Sequence, residues 1–69
     1  MYNDAGINKK EFIEYSEDFA SRIEVLSNEA RANASVMKDL DPYLEGKFIV
    51  IEAILKSALT VAQHIIERI

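Results

Sequence analysis

Residues 39–43, Asp39-Leu40-Asp41-Pro42-Tyr43, decide the fold because they separate two long amphipathic segments. Proline disfavours helical geometry in the residue before it, and it suits the first position of a new helix. Asp41 is therefore predicted to be the N-cap of a second helix, with Pro42 as its first residue. The sequence thus predicts two helices joined by a tight turn at Asp41-Pro42.

The first helix has a well-marked start. Asn8 can cap it, and Glu11 three residues later can complete a capping box. Ile7 and Phe12 lie on either side of this cap at the spacing of a hydrophobic staple. We therefore expect the first helix to begin at about Lys9.

Apolar residues in the first half return at intervals of three and four residues, which indicates an amphipathic helix. Two rows with seven-residue spacing form the predicted packing face: Phe12, Phe19, Leu26, Asn33 and Leu40 in one row, and Ser16, Ile23, Ala30 and Met37 in the other. Asn33 either lies at the edge of this face or fixes the register from a buried position. The acidic residues Glu14, Glu17 and Asp18 fall on the opposite, solvated side, where Asp18 can pair with Arg22.

A short connection makes neighbouring helices antiparallel. The predicted fold is an all-α, two-helix antiparallel hairpin, with one helix at about 9–39 and the other at about 42–68. Residues 1–7 are predicted to be a flexible N-terminal lead, since Asn, Asp and Gly in this stretch favour turns. Residues 8–69 then form a single domain.

The composition excludes several classes of protein. The chain has 69 residues, no cysteine, one histidine and a net charge of −4. Without cysteine there is no disulfide, and His64 alone does not make a zinc site, so we expect no metal and no cofactor. The acidic balance disfavours nucleic acid as a partner. Packing between helices or association with another protein is left to stabilise so small a domain.

The sequence also predicts a cytoplasmic protein. A membrane-spanning helix needs ~18–20 consecutive apolar residues, whereas the longest uncharged stretch in the apolar half is Ser57 to Ile66. The N-terminus has no basic region followed by an apolar region, so no secretory signal is visible. We therefore expect no membrane insertion.

The two halves of the chain differ in charge and in apolar content. Residues 1–41 carry nine acidic and five basic residues, whereas residues 42–69 carry three of each. Apolar residues make up 18 of the first 41 positions and 16 of the last 28. On a helical wheel, the second helix has one narrow polar stripe: Glu45, Glu52, Lys56, Thr60, Gln63 and Glu67.

The apolar arc of the second helix is wider than one partner helix can cover. One side of the arc is predicted to pack on the first helix: Leu44, Phe48, Ile51, Leu55, Ala58, Leu59, Ala62, Ile66 and Ile69. The other side is predicted to bind a partner protein: Tyr43, Val50, Ile54, Val61 and Ile65. A surplus apolar surface of this kind usually marks an interaction site.

Three single residues in the second helix each allow two interpretations. Tyr43 is either a binding anchor or a lid over the end of the hairpin. His64 is either a surface residue at the rim of the apolar arc or a pH-sensitive ligand. Gly46 costs ~1 kcal/mol relative to alanine inside a helix, and the close approach of another backbone would be one reason for it.

The second helix resembles a known family in the stretch Leu55-Lys56-Ser57-Ala58-Leu59, which is followed by Val61, Ile65 and Ile66. A weaker likeness extends to Glu52-Ala53-Ile54 and to Asp41-Pro42-Tyr43. The family is the YscE-like co-chaperones of type III secretion needle subunits, which are helical hairpins of about this size. The likeness covers roughly the last 30 residues, and in the first helix only pattern and length agree.

The resemblance implies a specific role. A member of this family would pair with a larger chaperone of the tetratricopeptide type. Together the two would keep the needle subunit monomeric in the bacterial cytoplasm before export, in the context of virulence. The surplus face of the second helix would dock on the repeat protein.

A second hypothesis comes from the residues alone. Two hairpins could cover each other's apolar arc and form a homodimeric four-helix bundle with a structural or regulatory role. A small antitoxin or immunity protein is also compatible with the sequence. An enzyme is not expected, because no pair of nucleophile and base, no metal cluster and no phosphate loop is visible.

Overall fold

A computed structural model describes residues 8–69 and confirms the helical hairpin. Helix α1 spans Lys9–Met37 and helix α2 spans Pro42–Arg68. The two helices pack side by side and antiparallel, and no strand is present among the described residues. The predicted N-terminal lead and the Ile7 part of the predicted staple lie outside the described residues.

The caps form where the sequence places them. The side-chain oxygen of Asn8 accepts a hydrogen bond from the backbone N–H of Glu11 at 2.9 Å. The carboxylate of Asp41 accepts from the N–H groups of Tyr43 and Leu44 at 3.1 and 3.4 Å. Both caps satisfy backbone donors that a helix start leaves without intrahelical partners.

Helix α1 ends at Met37, two residues before the predicted end at about 39. The carbonyl of Met37 accepts hydrogen bonds from the N–H groups of Leu40 and Asp41, at 3.0 and 2.8 Å. These bonds close the turn and carry the chain directly to the cap of α2. The helical pattern of the sequence continues into the turn, so pattern alone places the end too late.

Small side chains form the seam between the helices. The buried residues of α1 recur every three or four positions: Ala20, Ile23, Ser27, Ala30 and Ala34. Ala62 is the buried residue of α2, and the partly buried residues packed against this core are Leu55, Ala58, Leu59 and Ile66. With so many alanines at the contact, the two helices can approach closely.

One of the two predicted rows of α1 is confirmed, since Ile23 and Ala30 are buried and Ser16 and Met37 are partly buried. The other row is not in the seam beyond the partly buried Phe12: Phe19 and Leu26 are 52% and 50% exposed, and Asn33 and Leu40 are exposed as well. The row that contains Ile23 has a neighbouring row on either side, and both neighbours fit the spacing of three and four. The structure uses the neighbour with alanine and serine, since these small residues allow close packing. Asn33 is exposed, which agrees with a position at the edge of the packing face and not with a buried position that fixes the register.

The predicted packing side of α2 is confirmed at seven of its nine positions, which are buried or partly buried: Phe48, Leu55, Ala58, Leu59, Ala62, Ile66 and Ile69. The other two, Leu44 and Ile51, are exposed. Glu45 and Glu52, expected in the polar stripe, are only partly exposed. The Glu52 carboxylate is 13% exposed and accepts from Arg31 Nε at 3.1 Å and Lys56 Nζ at 3.2 Å. These two cations let a carboxylate occupy a seam position that an apolar residue would otherwise take.

Candidate interaction surface

One side of the hairpin is polar. Arg31 of α1 reaches Glu52 and thereby comes close to Lys56 on this side. Farther from the turn, a shallow groove is lined by four polar residues and three apolar ones: Glu17, Ser21, Glu24, Gln63, Ala20, Leu59 and Ile66. The polar residues that flank the seam on both helices therefore share one side.

The opposite side is apolar on both helices. We call it the apolar face and define it by eleven residues: Tyr15, Phe19, Leu26, Val36 and Leu40 from α1 and the turn, and Leu44, Ile51, Ile54, Ala58, Val61 and Ile65 from α2. All of them except the partly buried Ala58 are large and exposed. Exposed apolar patches of several side chains on a small protein mark interaction sites.

The predicted partner-binding residues are all exposed. Ile54 and Val61 are 62% and 59% exposed, and with Ile65 they belong to the apolar face. Tyr43 and Val50 continue it around the outer side of α2. Their role in binding stays a prediction. His64 is exposed, and Tyr43 is too exposed to act as a lid.

The sequence interpretation missed the share of α1 in this face. Phe19 and Leu26 of α1 are exposed on it, as are Ile51 and Leu44 of α2, which the prediction had buried. The signal was present, because each helix carries two apolar rows that fit the spacing of a seam. The hairpin uses one and leaves the other open.

The open row of α2 is a second complete seam. Its members follow one another at intervals of three and four residues: Leu44, Lys47, Ile51, Ile54, Ala58, Val61, Ile65 and Arg68. This spacing is the heptad pattern of helices that pack on a neighbour. A helix with one seam buried and another exposed is typical of bundles with more than two helices.

Few charges interrupt the apolar face. On α1 it contains Arg22, which pairs with Asp18 at 3.1 Å and stands 5.9 Å from the centre of the Phe19 ring. Glu29 lies two turns farther along α1 on the same row. On α2 the charges stand near the ends, where Lys47 Nζ lies 5.0 Å from the centre of the Tyr43 ring.

Helix α2 has a second property that bears on function. It is long enough and apolar enough, over a window of 18 residues, to cross a membrane, and only 6% of that window is buried. This is weak evidence, because helices of soluble bundles pass the same test. The sequence prediction counted uncharged residues only, whereas this window admits two charges.

The described part of the chain was also searched for a metal or carboxylate site. No group of three or more potential metal-ligating side chains comes together among residues 8–69. The acidic residues Glu14, Glu17 and Asp18 are exposed. Comparisons with known protein families, curated proteins and solved structures found no significant match for this chain.

Proposed function

We propose that this chain is a non-catalytic binding module that docks its apolar face on a helical partner protein. The supporting observation is the inverted distribution of side-chain size. The buried positions of the hairpin are mostly alanine, whereas fourteen large apolar side chains among the described residues are exposed. Each large apolar side chain gains ~1.5–3 kcal/mol when it is fully buried, so burial of the apolar face favours association with a partner.

The more specific proposal is a co-chaperone. Its support is the resemblance to the YscE-like family in residues 55–66, together with the exposed apolar face. In this proposal the chain docks on a tetratricopeptide-like chaperone, and the complex holds a type III secretion needle subunit monomeric in the bacterial cytoplasm. A helix-lined groove can cover the apolar helix through which such a subunit would otherwise polymerise.

A second candidate function is self-association with a structural or regulatory role. The observation in its favour is the open seam of α2, because an uninterrupted heptad row also fits another copy of itself. Both candidates use the same face, so a hetero-partner and a second copy would compete for it.

The charges of α2 oppose its insertion into a membrane. Glu52 and Lys56 lie inside the apolar window, and Glu52 is tied to Arg31 of the charged helix α1. A charged residue at the centre of a spanning helix costs ~2.5–3.5 kcal/mol on insertion scales. If α2 crossed a membrane, Glu52 would also be separated from Arg31 of α1.

A pull-down from the source cells tests the docking proposal. The tagged chain is expected to bring down a helical-repeat protein and a small needle-like subunit, identified by mass spectrometry. The double variant Ile54→Asp/Val61→Asp should lose both, because it places two carboxylates on the apolar face.

The matched control is Val25→Asp/Ile49→Asp. Val25 and Ile49 are about as exposed as Ile54 and Val61 but lie outside the apolar face. The control should keep the partners. Partners that stay bound to the Ile54→Asp/Val61→Asp variant would contradict the assignment of this face, and partners of an unrelated type would contradict the co-chaperone role.

A further inference from the structure

We propose that a second copy of this chain covers the apolar face when no other partner is bound, and that the two hairpins form a four-helix bundle with their turns at opposite ends. This inference rests on the proposed use of the apolar face as a docking surface. It adds the occupant of the face in the free protein, the orientation of the two copies and a contribution from α1.

The apolar face extends along both helices. Ten of its side chains are large and between 40% and 72% exposed. A standard stable interface buries about 800 Å² on each partner. A second copy laid along both helices covers these ten side chains together.

The open row of α2 is self-complementary. Ala58 lies near its centre, Ile54 and Val61 follow on either side, and Ile51 and Ile65 come next. The row is therefore nearly the same when it is read in either direction. A two-fold axis needs such a surface, because it sets each residue against the reversed row of the other copy. In an antiparallel pair, Ile54 of one copy lies close to Val61 of the other.

The open row of α1 has the same property at most of its positions, including the charged ones. Leu26 lies at its centre, Arg22 and Glu29 stand on either side, and Tyr15 and Val36 stand farther out. The exception is Phe19, because the equivalent position on the other side of Leu26 is Asn33. In an antiparallel pair of α1 helices, Arg22 of each copy therefore comes close to Glu29 of the other. The opposite charges that interrupt the apolar face would then pair across the axis.

One axis serves both helices. Leu26 and Ala58 are each five or six residues from the Arg31–Glu52 ion pair, so they lie at about the same level of the hairpin. The centre of the α1 row and the centre of the α2 row therefore coincide. The centres of the two open rows need not lie at the same level in a helical hairpin. Their coincidence favours a second copy over an unrelated partner as the occupant of the face in the free protein.

The alternative dimer, with both turns at the same end, is less favourable. It would place α1 of one copy over α2 of the other. Arg22 and Glu29 would then lie against the apolar row near Val61 and Ile54. Charges in such a position lose water without gaining a partner. In the proposed dimer the like charges Lys47 and Arg68 come closest to each other, but at the outer ends, where long side chains reach solvent.

Sedimentation of the full chain between about 1 and 100 μM, without added partner, tests the proposal. We expect a dimer that dissociates on dilution, and at least a hundredfold weaker association in Ile54→Asp/Val61→Asp than in the control Val25→Asp/Ile49→Asp. A monomer with full helical circular dichroism at 100 μM would overturn the inference. An unchanged dimer in the Ile54→Asp/Val61→Asp variant would also overturn it.

A distance measurement tests the orientation and requires no disruptive variant. The chain has no cysteine, so Lys38→Cys next to the turn gives one spin label per copy. With turns at opposite ends, the two labels should be roughly 35–40 Å apart, because twelve residues of helix on each side of the axis span about 18 Å. A distance under about 25 Å would place both turns at one end and overturn the proposed arrangement.

Failure of this inference is distinguishable from failure of the proposed function. A monomeric chain that still captures a helical-repeat partner would refute the dimer and leave the docking function intact. A dimer with the expected label distance, in a chain that captures no helical-repeat partner, would support the dimer and refute the docking function. Addition of phosphatidylcholine vesicles gives a third outcome, because partition of the chain into them at the expense of the dimer would show that lipid covers the face.

Discussion

At the scale of single residues, side-chain size is distributed in an unusual way. Most of the buried seam positions are alanines, and many of the larger apolar residues are exposed. Glu52 is the charged residue that the seam holds close to burial, with Arg31 and Lys56 on its carboxylate. A lone carboxylate in the seam constrains how the helices align, since a shift along the axis would separate it from Arg31.

Gly46 offers a direct test at this scale. A β-carbon built there meets nothing within 4 Å, so nothing in the hairpin requires glycine. Gly46→Ala is expected to raise the free energy of unfolding by about 0.5–1 kcal/mol, because glycine is entropically costly inside a helix. Urea denaturation at a fixed protein concentration measures this change. A destabilised variant would contradict the expectation and show that another backbone approaches Gly46 in the assembled protein.

At the scale of elements, the turn, the caps and most of the seam could be predicted from the sequence, and the choice between neighbouring rows of α1 could not. Asn8, Asp41 and Pro42 are local signals, and each acts within one turn of its own position. The choice of seam is not local. Ile23 has a usable row on either side, and only the fit between the two helices decides that the alanine row is buried while Phe19 is left outside.

The same ambiguity affected the candidate site. The five partner-binding residues predicted on α2 are exposed, because α2 carries more apolar residues than one neighbour can cover. The part contributed by α1 could not be predicted, since Leu26 was assigned to the seam. A periodic pattern gives the existence of two apolar rows on a helix, but it does not say which of them faces the neighbouring helix.

The alanine seam makes a prediction about the fit of α1 on α2. Ala30→Leu is expected to lower the free energy of unfolding by about 1–3 kcal/mol, because a larger side chain forces the closely packed helices apart. Ala32→Leu is the control, since Ala32 lies on the exposed side of α1. Thermal or urea unfolding of both variants measures the difference. Equal stability of the two would contradict close packing at Ala30.

At the scale of the whole molecule, the hairpin has two unlike sides. The polar side carries the ion pairs of Glu52 and the shallow groove, and the apolar side carries the two open rows. The polar side is suited to water, and the apolar side is suited to another protein. In the proposal made above, a partner or a second copy completes this hairpin to a larger helical bundle.

Exchange of charges tests the arrangement of the proposed dimer. Arg22→Glu and Glu29→Arg are each expected to weaken dimerisation about five- to tenfold, since each places like charges across the axis. The double variant should recover most of this loss, because the pair is restored with its signs reversed. Sedimentation at low salt measures the four dimerisation constants, those of the unaltered chain, the two single variants and the double variant, as a double-mutant cycle. Strictly additive losses would show that Arg22 and Glu29 do not meet in the dimer.

The exposed apolar face also bears on how long the protein survives in a cell. Proteins that leave apolar surface uncovered are recognised by chaperones and proteases that remove unassembled chains. Chains whose apolar face is covered would persist in the cell. Chains made in excess of the available partner would be degraded. The abundance of this small protein would then follow that of its partner without any dedicated regulator, because the surface that binds the partner is also the surface that marks the unbound chain for removal.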